Sequence, residues 1–285
     1  MIPKLTYRLA FSSCPNDTFI FKAIARQLID LKGYAFDLVM EDVETLNQNA
    51  AKGACDITKL SYATFGQVKD RYALLRSGSA LGEGCGPLII SLPGQELGNN
   101  KKPVIAVPGL GTTAFHLFRF YMDDGFKGIK PVIVPMPFEQ IIPAVVNKTA
   151  DFGVIIHEGR FVYQAMGVEL KADLGKWWEE QTRLPIPLGC IAIRRDIAPD
   201  IARDIETLIR QSINHAFAHP DMAYDYIQSH AQELDKDVIQ QHIDLYVNDY
   251  SIQIGEKGEQ AITLFFEKAE QAGLLKPSNQ PMFAC

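Results

Sequence analysis

Apolar and polar residues alternate from Leu5 to Phe11, which is the pattern of a β-strand with one buried face. The sequence SSCPND follows as a loop, and Asn16 or Asp17 in this loop can cap a helix over residues 18–28. The start of the chain therefore predicts a strand, a loop and a helix.

The same order of strand and helix continues through the next 30 residues or so. An alternating segment over residues 36–40 predicts a second strand, and Asp42 can cap the helix that follows it. Gly53 can end this helix in a left-handed conformation, and residues 55–60 predict a third, buried strand.

A second unit with the same element order begins about 95 residues further along the chain. Its segments alternate between strand and helix patterns, at residues 103–107, 115–122, 131–135, 138–147 and 151–156. The segment Ala51–Asp56 aligns with Val146–Asp151, because each copy ends its second helix there and places an Asp just before a strand.

Two such units predict an α/β protein with two parallel sheets and right-handed crossovers. We expect a larger lobe from residues 1–102 and 186–285 and a smaller inserted lobe from residues 103–185. In parallel sheets ligands bind beyond the carboxyl ends of the strands, so we expect a ligand cleft between the lobes. Amphipathic helices predicted from Pro199 onwards would cover the larger lobe from outside.

His157 directly follows the last predicted strand of the second unit. Active-site groups of α/β proteins are commonly found at this end of a strand. A neutral imidazole near pH 7 can accept or donate a proton, which suits general acid/base catalysis. A structural histidine that forms a hydrogen bond at the strand end is the alternative.

The turn Gly109–Ala114 opens a predicted helix in the second unit. Its backbone N–H groups, with the hydroxyls of Thr112 and Thr113, can bind an anion, although a plain capped turn explains the same sequence. In the first unit the loop that contains Asn16 holds the equivalent place, before the first helix of that unit. Ser61 follows the third strand, where it can donate to a ligand or cap the next helix.

The composition favours a globular protein that does not bind nucleic acid or a membrane. Of 285 residues 47% are hydrophobic, the net charge is -6, and the basic residues form no cluster. No run of 18 apolar residues occurs, as a membrane-spanning helix would need. The first residues lack the apolar core of a signal peptide, so we expect a cytoplasmic protein.

The cysteines and histidines do not predict a metal site or a redox centre. Five cysteines are widely spaced without a CxxC motif, which favours reduced thiols. His215 and His219 are four residues apart on a predicted helix, but no further ligand accompanies them. We therefore expect no metal site and no redox dithiol.

Several longer segments resemble the 1,4-dihydroxy-6-naphthoate synthase family of the futalosine route to menaquinone. They run in family order over most of the chain: SSCPNDTFIF, EDVETLN, TKLSYA, RSGSALGEGCGPL, VPGLGTTA, IIHEGR, WWEEQTRLPIPLG and VNDYS. The resemblance implies a periplasmic-binding-protein-like fold of type II. It also implies a cofactor-free lyase that converts cyclic dehypoxanthine futalosine to 1,4-dihydroxy-6-naphthoate and releases dihydroxyacetone.

The same resemblance assigns roles to individual residues. It implies that His157 is the acid/base of the reaction. It further implies that Ser61 and the start of the second-unit helix, Thr112, Thr113 and Ala114, bind the small carboxylate substrate.

Two other functions remain open from the sequence. A solute-binding protein of the same fold would bind a small anion without converting it, and chorismate dehydratase shares the fold. The sequence does not predict an oligomeric state.

Overall fold

Two β-sheets organise the protein, which we describe from a computed structural model over residues 6–230 and 235–285, with the side chains of residues 221–223 left aside. The strands are β1 (Thr6–Phe11), β2 (Ala35–Met40), β3 (Ile57–Ser61), β4 (Tyr72–Leu74), β5 (Ala80–Gly82), β6 (Leu88–Ser91), β7 (Val104–Val107), β8 (Val132–Pro135), β9 (Phe152–Ile155), β10 (Glu169–Asp173) and β11 (Ile186–Arg194). Leu5, where we expected the first strand to begin, lies outside the described residues.

The first sheet has the order β2-β1-β3-β11-β4, and β5 also pairs with β11. β1 is parallel to both β2 and β3, as the strand–helix–strand pattern predicts. The long strand β11 returns from the later part of the chain and is antiparallel to β3, β4 and β5.

The second sheet has the order β10-β6-β9-β7-β8. β7 is parallel to β8 and β9, whereas β6 is antiparallel to β9 and β10. The expected lobe boundary at residue 102 is therefore wrong, because it leaves β6 in the first lobe. The chain passes from the first sheet to the second over residues 83–87 rather than 98–102, and it returns over residues 183–185.

Helices connect and cover the strands. They are α1 (Pro15–Ala25), α2 (Val43–Lys52), α3 (Tyr62–Gln67), α4 (Thr113–Gly125), α5 (Ile141–Val146), α6 (Gly159–Val162), α7 (Leu174–Thr182), α8 (Pro199–Ala218), α9 (Pro220–Gln228), α10 (Lys236–Tyr246), α11 (Asp249–Ile252) and α12 (Gly255–Gln271). As expected, the later helices cover the first sheet from outside, with α8, α9 and α10 in contact with α1.

Local signals predicted the ends of α2 correctly but not the start of α1. The Asp42 side chain accepts hydrogen bonds from the N–H groups at the start of α2, and Gly53 ends this helix with a φ of 70°. Helix α1 instead begins after Cys14, with Pro15 at its first position, so Asn16 and Asp17 lie inside its first turn. Proline favours this position because its fixed φ already matches a helix.

Apolar side chains fill the space around both sheets. The largest fully buried side chain is Trp178 of α7, whose ring lies 6.2 Å from that of Phe265 in α12. Among the described residues, no helix combines the length and the apolarity that crossing a membrane requires.

Candidate functional site

A cavity of about 690 Å³, partly open to solvent, lies where loops that follow strands of both sheets meet. All six residues that the sequence singled out line it: Asn16, Ser61, Thr112, Thr113, Ala114 and His157. Residues of both repeated units therefore line one cavity.

His157 lies just beyond β9 in a left-handed backbone conformation, with a φ of 53°. Its ring contacts those of Phe138 and His242, with centroid distances of 5.0 and 5.9 Å. Burial lowers the pKa of His157, and a negative charge on the neighbouring Glu158 would oppose this shift only in part. The imidazole is thus held in its neutral form near pH 7, in which it can accept a proton.

Cys14 is the nearest thiol to this histidine, with 3.7 Å between its Sγ atom and Nδ1 of His157. Burial raises the pKa of Cys14, so its sulfur stays protonated near neutral pH. A protonated thiol is a weak hydrogen-bond donor and not a nucleophile.

A buried ion pair forms one wall of the cavity. The Lys59 ammonium lies 2.7 Å from Oδ1 of Asp17, and both side chains are at most 5% exposed. Asp17 also accepts hydrogen bonds from the Oγ and backbone N–H of Ser12 and from Nδ2 of Asn16. These contacts fix Asn16, whose Oδ1 lies 3.1 Å from Nε2 of His242.

Ser61 ends β3 and starts α3, but its hydroxyl does not cap that helix. Instead the Asn47 amide contacts it twice, because Nδ2 donates to the Ser61 hydroxyl and Oδ1 accepts from the Ser61 N–H. The hydroxyl proton of Ser61 is left to point into the cavity, where it can donate to a ligand.

The start of α4 forms the opposite part of the wall. Thr112 caps this helix by accepting a hydrogen bond from the N–H of Phe115 at 3.2 Å. The Thr113 hydroxyl donates to the carbonyl of Leu188 in β11 at 2.7 Å, so it ties the helix to the first sheet. The first N–H groups of a helix have no partner within it, and the two residues that carry them here, Thr113 and Ala114, line the cavity.

Sequence reasoning missed His242, Lys59 and Tyr246, which also line the cavity. His242 lies on the inward face of α10 with Ile239 and Ile243, so a histidine inside an apolar helical stripe was the available signal. Burial, with the nearby His157 and Lys59, lowers the pKa of His242 well below the usual value.

The described part of the chain holds no group of three His, Cys, Asp or Glu side chains that could bind a metal ion. His215 and His219 do lie together, with ring centroids 4.7 Å apart. The cavity can support two kinds of chemistry: proton transfer by histidine, and anion binding by backbone N–H groups and side-chain O–H groups.

Comparisons with known proteins identify the family of the chain. The family model described as menaquinone biosynthesis matches residues 7–271. A Thermus thermophilus relative named 1,4-dihydroxy-6-naphthoate synthase is 46% identical, over 97% of this chain and 98% of its own length. A Streptomyces coelicolor relative of the same name is 40% identical, over 95% of each chain.

Solved structures support the fold. A crystal structure of an Archaeoglobus fulgidus protein has a TM-score of 0.87 and 33% identity, covering 95% of this chain and 98% of its own. A Candida albicans protein, described as having the generic periplasmic binding protein fold, has a TM-score of 0.70 at 13% identity, covering 96% of this chain and 92% of its own. The expected periplasmic-binding-protein-like fold is confirmed, and the chain belongs to the menaquinone biosynthesis family, in which its relatives are 1,4-dihydroxy-6-naphthoate synthases.

Proposed function

We propose that this protein is a cytoplasmic, cofactor-free lyase that cleaves cyclic dehypoxanthine futalosine, with His157 as the acid/base. The products would be 1,4-dihydroxy-6-naphthoate and dihydroxyacetone. The observation that carries the proposal is a neutral, buried imidazole that faces the cavity formed by both sheets. The names of the two relatives supply the product.

The chemistry of such a cleavage matches what the cavity offers. Formation of an aromatic ring drives the fragmentation, so the protein needs mainly to position the substrate and to move protons. A positioned general acid/base contributes about a hundred- to ten-thousandfold to a rate. The neutral His157 can take the first proton, and closure of the two lobes over the substrate would exclude water from the reaction.

The substrate carboxylate fits the start of α4. We propose that the N–H groups of Thr113 and Ala114 bind it, with help from the positive end of the helix dipole. The Ser61 hydroxyl and the Asn16 amide would contact other polar groups of the substrate. The two lobes, divided near residues 83–87 and 183–185, would close over it.

The sharpest test replaces His157 with Asn, because Asn tolerates a left-handed backbone and cannot titrate near neutral pH. We expect kcat to fall at least about a hundredfold, with a much smaller change in the dissociation constant for substrate. Product formation can be followed by chromatography and binding by calorimetry. The exposed His219→Asn serves as the matched control and should behave as the unmodified protein.

The same assay separates the competing functions. A folded His157→Asn variant with nearly full turnover would refute the role of His157. Binding of the futalosine derivative without any turnover by the unmodified protein would indicate a solute-binding protein. Consumption of chorismate in its place would indicate a dehydratase.

A further inference from the structure

Two buried polar atoms beside the cavity face each other without a hydrogen-bond partner. They are Oε2 of Glu158 and Nδ1 of His242, which lie 3.9 Å apart. No other described residue gives or accepts a hydrogen bond at either atom. Buried polar atoms are normally paired, so this arrangement needs an explanation.

The hydrogen bonds of Asn16 determine which nitrogen of His242 carries a proton. Asp17, paired with Lys59, can only accept, so the Asn16 amide must turn its NH₂ group towards Asp17. The Asn16 oxygen then faces Nε2 of His242 at 3.1 Å, and Nε2 must donate. In the neutral ring Nδ1 is therefore an acceptor, and it faces a second acceptor on Glu158.

Two acceptors at this separation require a proton between them. A water molecule that bridges two acceptors with hydrogen bonds of about 2.8 Å holds them roughly 4.5 Å apart, which is more than the observed distance. A direct hydrogen bond needs the atoms to approach by only about 1 Å. Glu158 can make this movement, because its side chain is 17% exposed and belongs to the residue before the short helix α6.

We propose that Glu158 and His242 share one proton, and that the resulting neutral pair keeps His157 in its proton-accepting form. His157 and His242 are close enough for this coupling, since their ring centroids lie 5.9 Å apart. The two rings are also nearly parallel, with an interplanar angle of 16°. The pair has zero net charge wherever the shared proton lies. Without that proton it would carry one negative charge and would favour the protonated, inactive form of His157.

The other charged and titratable groups near the two histidines do not control the protonation of His157 in the way that the Glu158–His242 pair does. They are Cys14, Asp17, Asp42, Lys59, Cys85, Arg160 and Tyr246. Asp17 and Lys59 form an ion pair and largely cancel, and Arg160 is paired with Asp173. Burial raises the pKa values of Cys14, Cys85 and Tyr246, so these groups are uncharged near neutral pH. Asp42 caps α2 and has the smallest effect of the charges that act on His157.

The expected effect on His157 can be estimated from Coulomb's law. A bare negative charge on the adjacent residue Glu158, taken at about 6 Å and at an effective dielectric constant of about 20, raises the titration midpoint of a histidine by roughly one to two pH units. The pair acts through His157 and does not need to touch the substrate, so Glu158 and His242 are positioning residues.

The experiment measures the titration of His157 by ¹⁵N NMR in ligand-free protein, together with the acidic limb of kcat/KM, which reports the same group. Glu158→Gln should leave both midpoints unchanged, because the original pair is already neutral. His242→Phe keeps an aromatic ring but cannot share the proton, so both midpoints should rise by about one to two pH units. The double variant His242→Phe/Glu158→Gln should return them to the original values.

The controls separate this inference from the proposed function on which it rests. Glu139→Gln removes one charge from an exposed position next to Phe138 and should shift neither midpoint by more than a few tenths. A downward shift in Glu158→Gln alone would show an ionised Glu158 and overturn the shared proton. Failure of the double variant to reverse the shift would also overturn it. The NMR titration needs no turnover, so it tests the shared proton even if the protein acts on a different substrate. If His242→Phe does not fold, the titration of Glu158→Gln alone still tests it.

Discussion

The buried ion pair between Asp17 and Lys59 should be among the most sensitive points of the structure. Asp17 and Lys59 are 1% and 4% exposed, so neither charge can be hydrated if its partner is removed. Breaking a buried pair by replacing one partner typically costs about 3–5 kcal/mol. We therefore expect Asp17→Asn to lower the free energy of unfolding by about that amount.

The contacts predict that the two single variants differ. In Lys59→Met, Asp17 keeps three hydrogen bonds, two from Ser12 and one from Asn16. In Asp17→Asn, Lys59 loses its charged partner, and its other hydrogen bond goes to the neutral carbonyl of Gly78 at 3.2 Å. Lys59→Met should therefore cost less, about 2–3 kcal/mol, because hydrogen bonds to a charged group contribute about 1.5–3 kcal/mol.

Urea unfolding of both single variants and the double variant forms a complete cycle. The double variant should cost less than the sum of the single changes, since no unpaired charge remains. The matched control is the pair Lys257–Glu83, which has nearly the same 2.8 Å distance but side chains that are 50% and 59% exposed. Glu83→Gln should lower the free energy of unfolding far less than either buried substitution, because both charges of this pair stay hydrated. A loss of unfolding free energy below about 1 kcal/mol for Asp17→Asn would refute this reasoning. So would a loss for Lys59→Met that is larger than the loss for Asp17→Asn.

Two further predictions concern the anion site and the core. A crystal soaked in succinate should show a carboxylate at the N–H groups of Thr113 and Ala114, whereas density only elsewhere in the cavity would contradict the assignment. In the core, burial lowers the pKa of His116 to about 4, below its unfolded value near 6.5. The unfolded chain therefore binds this proton first, and stability that is complete above pH 6.5 is lost as the pH falls towards 4. The unfolding free energy of the unmodified protein should fall between pH 7 and pH 5, and His116→Phe should make this fall about 2 kcal/mol smaller. Urea unfolding at both pH values measures it, and a fall of the same size in the variant would contradict this account.

The sequence predicted what short-range patterns determine. Alternation located β1 and β2, and the side chain of Asp42 with the left-handed Gly53 determined the limits of α2. His157 could be found because it directly follows a buried strand, and that position does not depend on distant residues.

Long-range pairing decided the rest. The strand pattern of β6 does not specify which sheet it joins, and only its ladders with β9 and β10 place it in the second one. His242 lies more than 80 residues from His157 along the chain, so its role in the cavity depends on how α10 packs against α1. Asn16 resembles a helix cap in sequence, but Pro15 starts the helix earlier and turns its amide towards Asp17 and His242.

The left-handed conformation of His157 explains how two adjacent residues can both contact His242. In an extended strand, successive side chains point to opposite faces, so His157 and Glu158 would be separated by the backbone. A φ of 53° at His157 turns the chain as it leaves β9. Its ring then lies 5.9 Å from that of His242, and the Glu158 carboxylate lies 3.9 Å from the same ring. A left-handed residue other than glycine costs roughly 1–2 kcal/mol, a strain that structures retain mainly where function requires it. Of the described non-glycine residues with a positive φ, which also include Gln27, Lys32, Lys148 and Arg183, His157 is the one that lines the cavity. Its conformation brings the proposed acid/base and the carboxylate that we infer controls it to the same ring of His242.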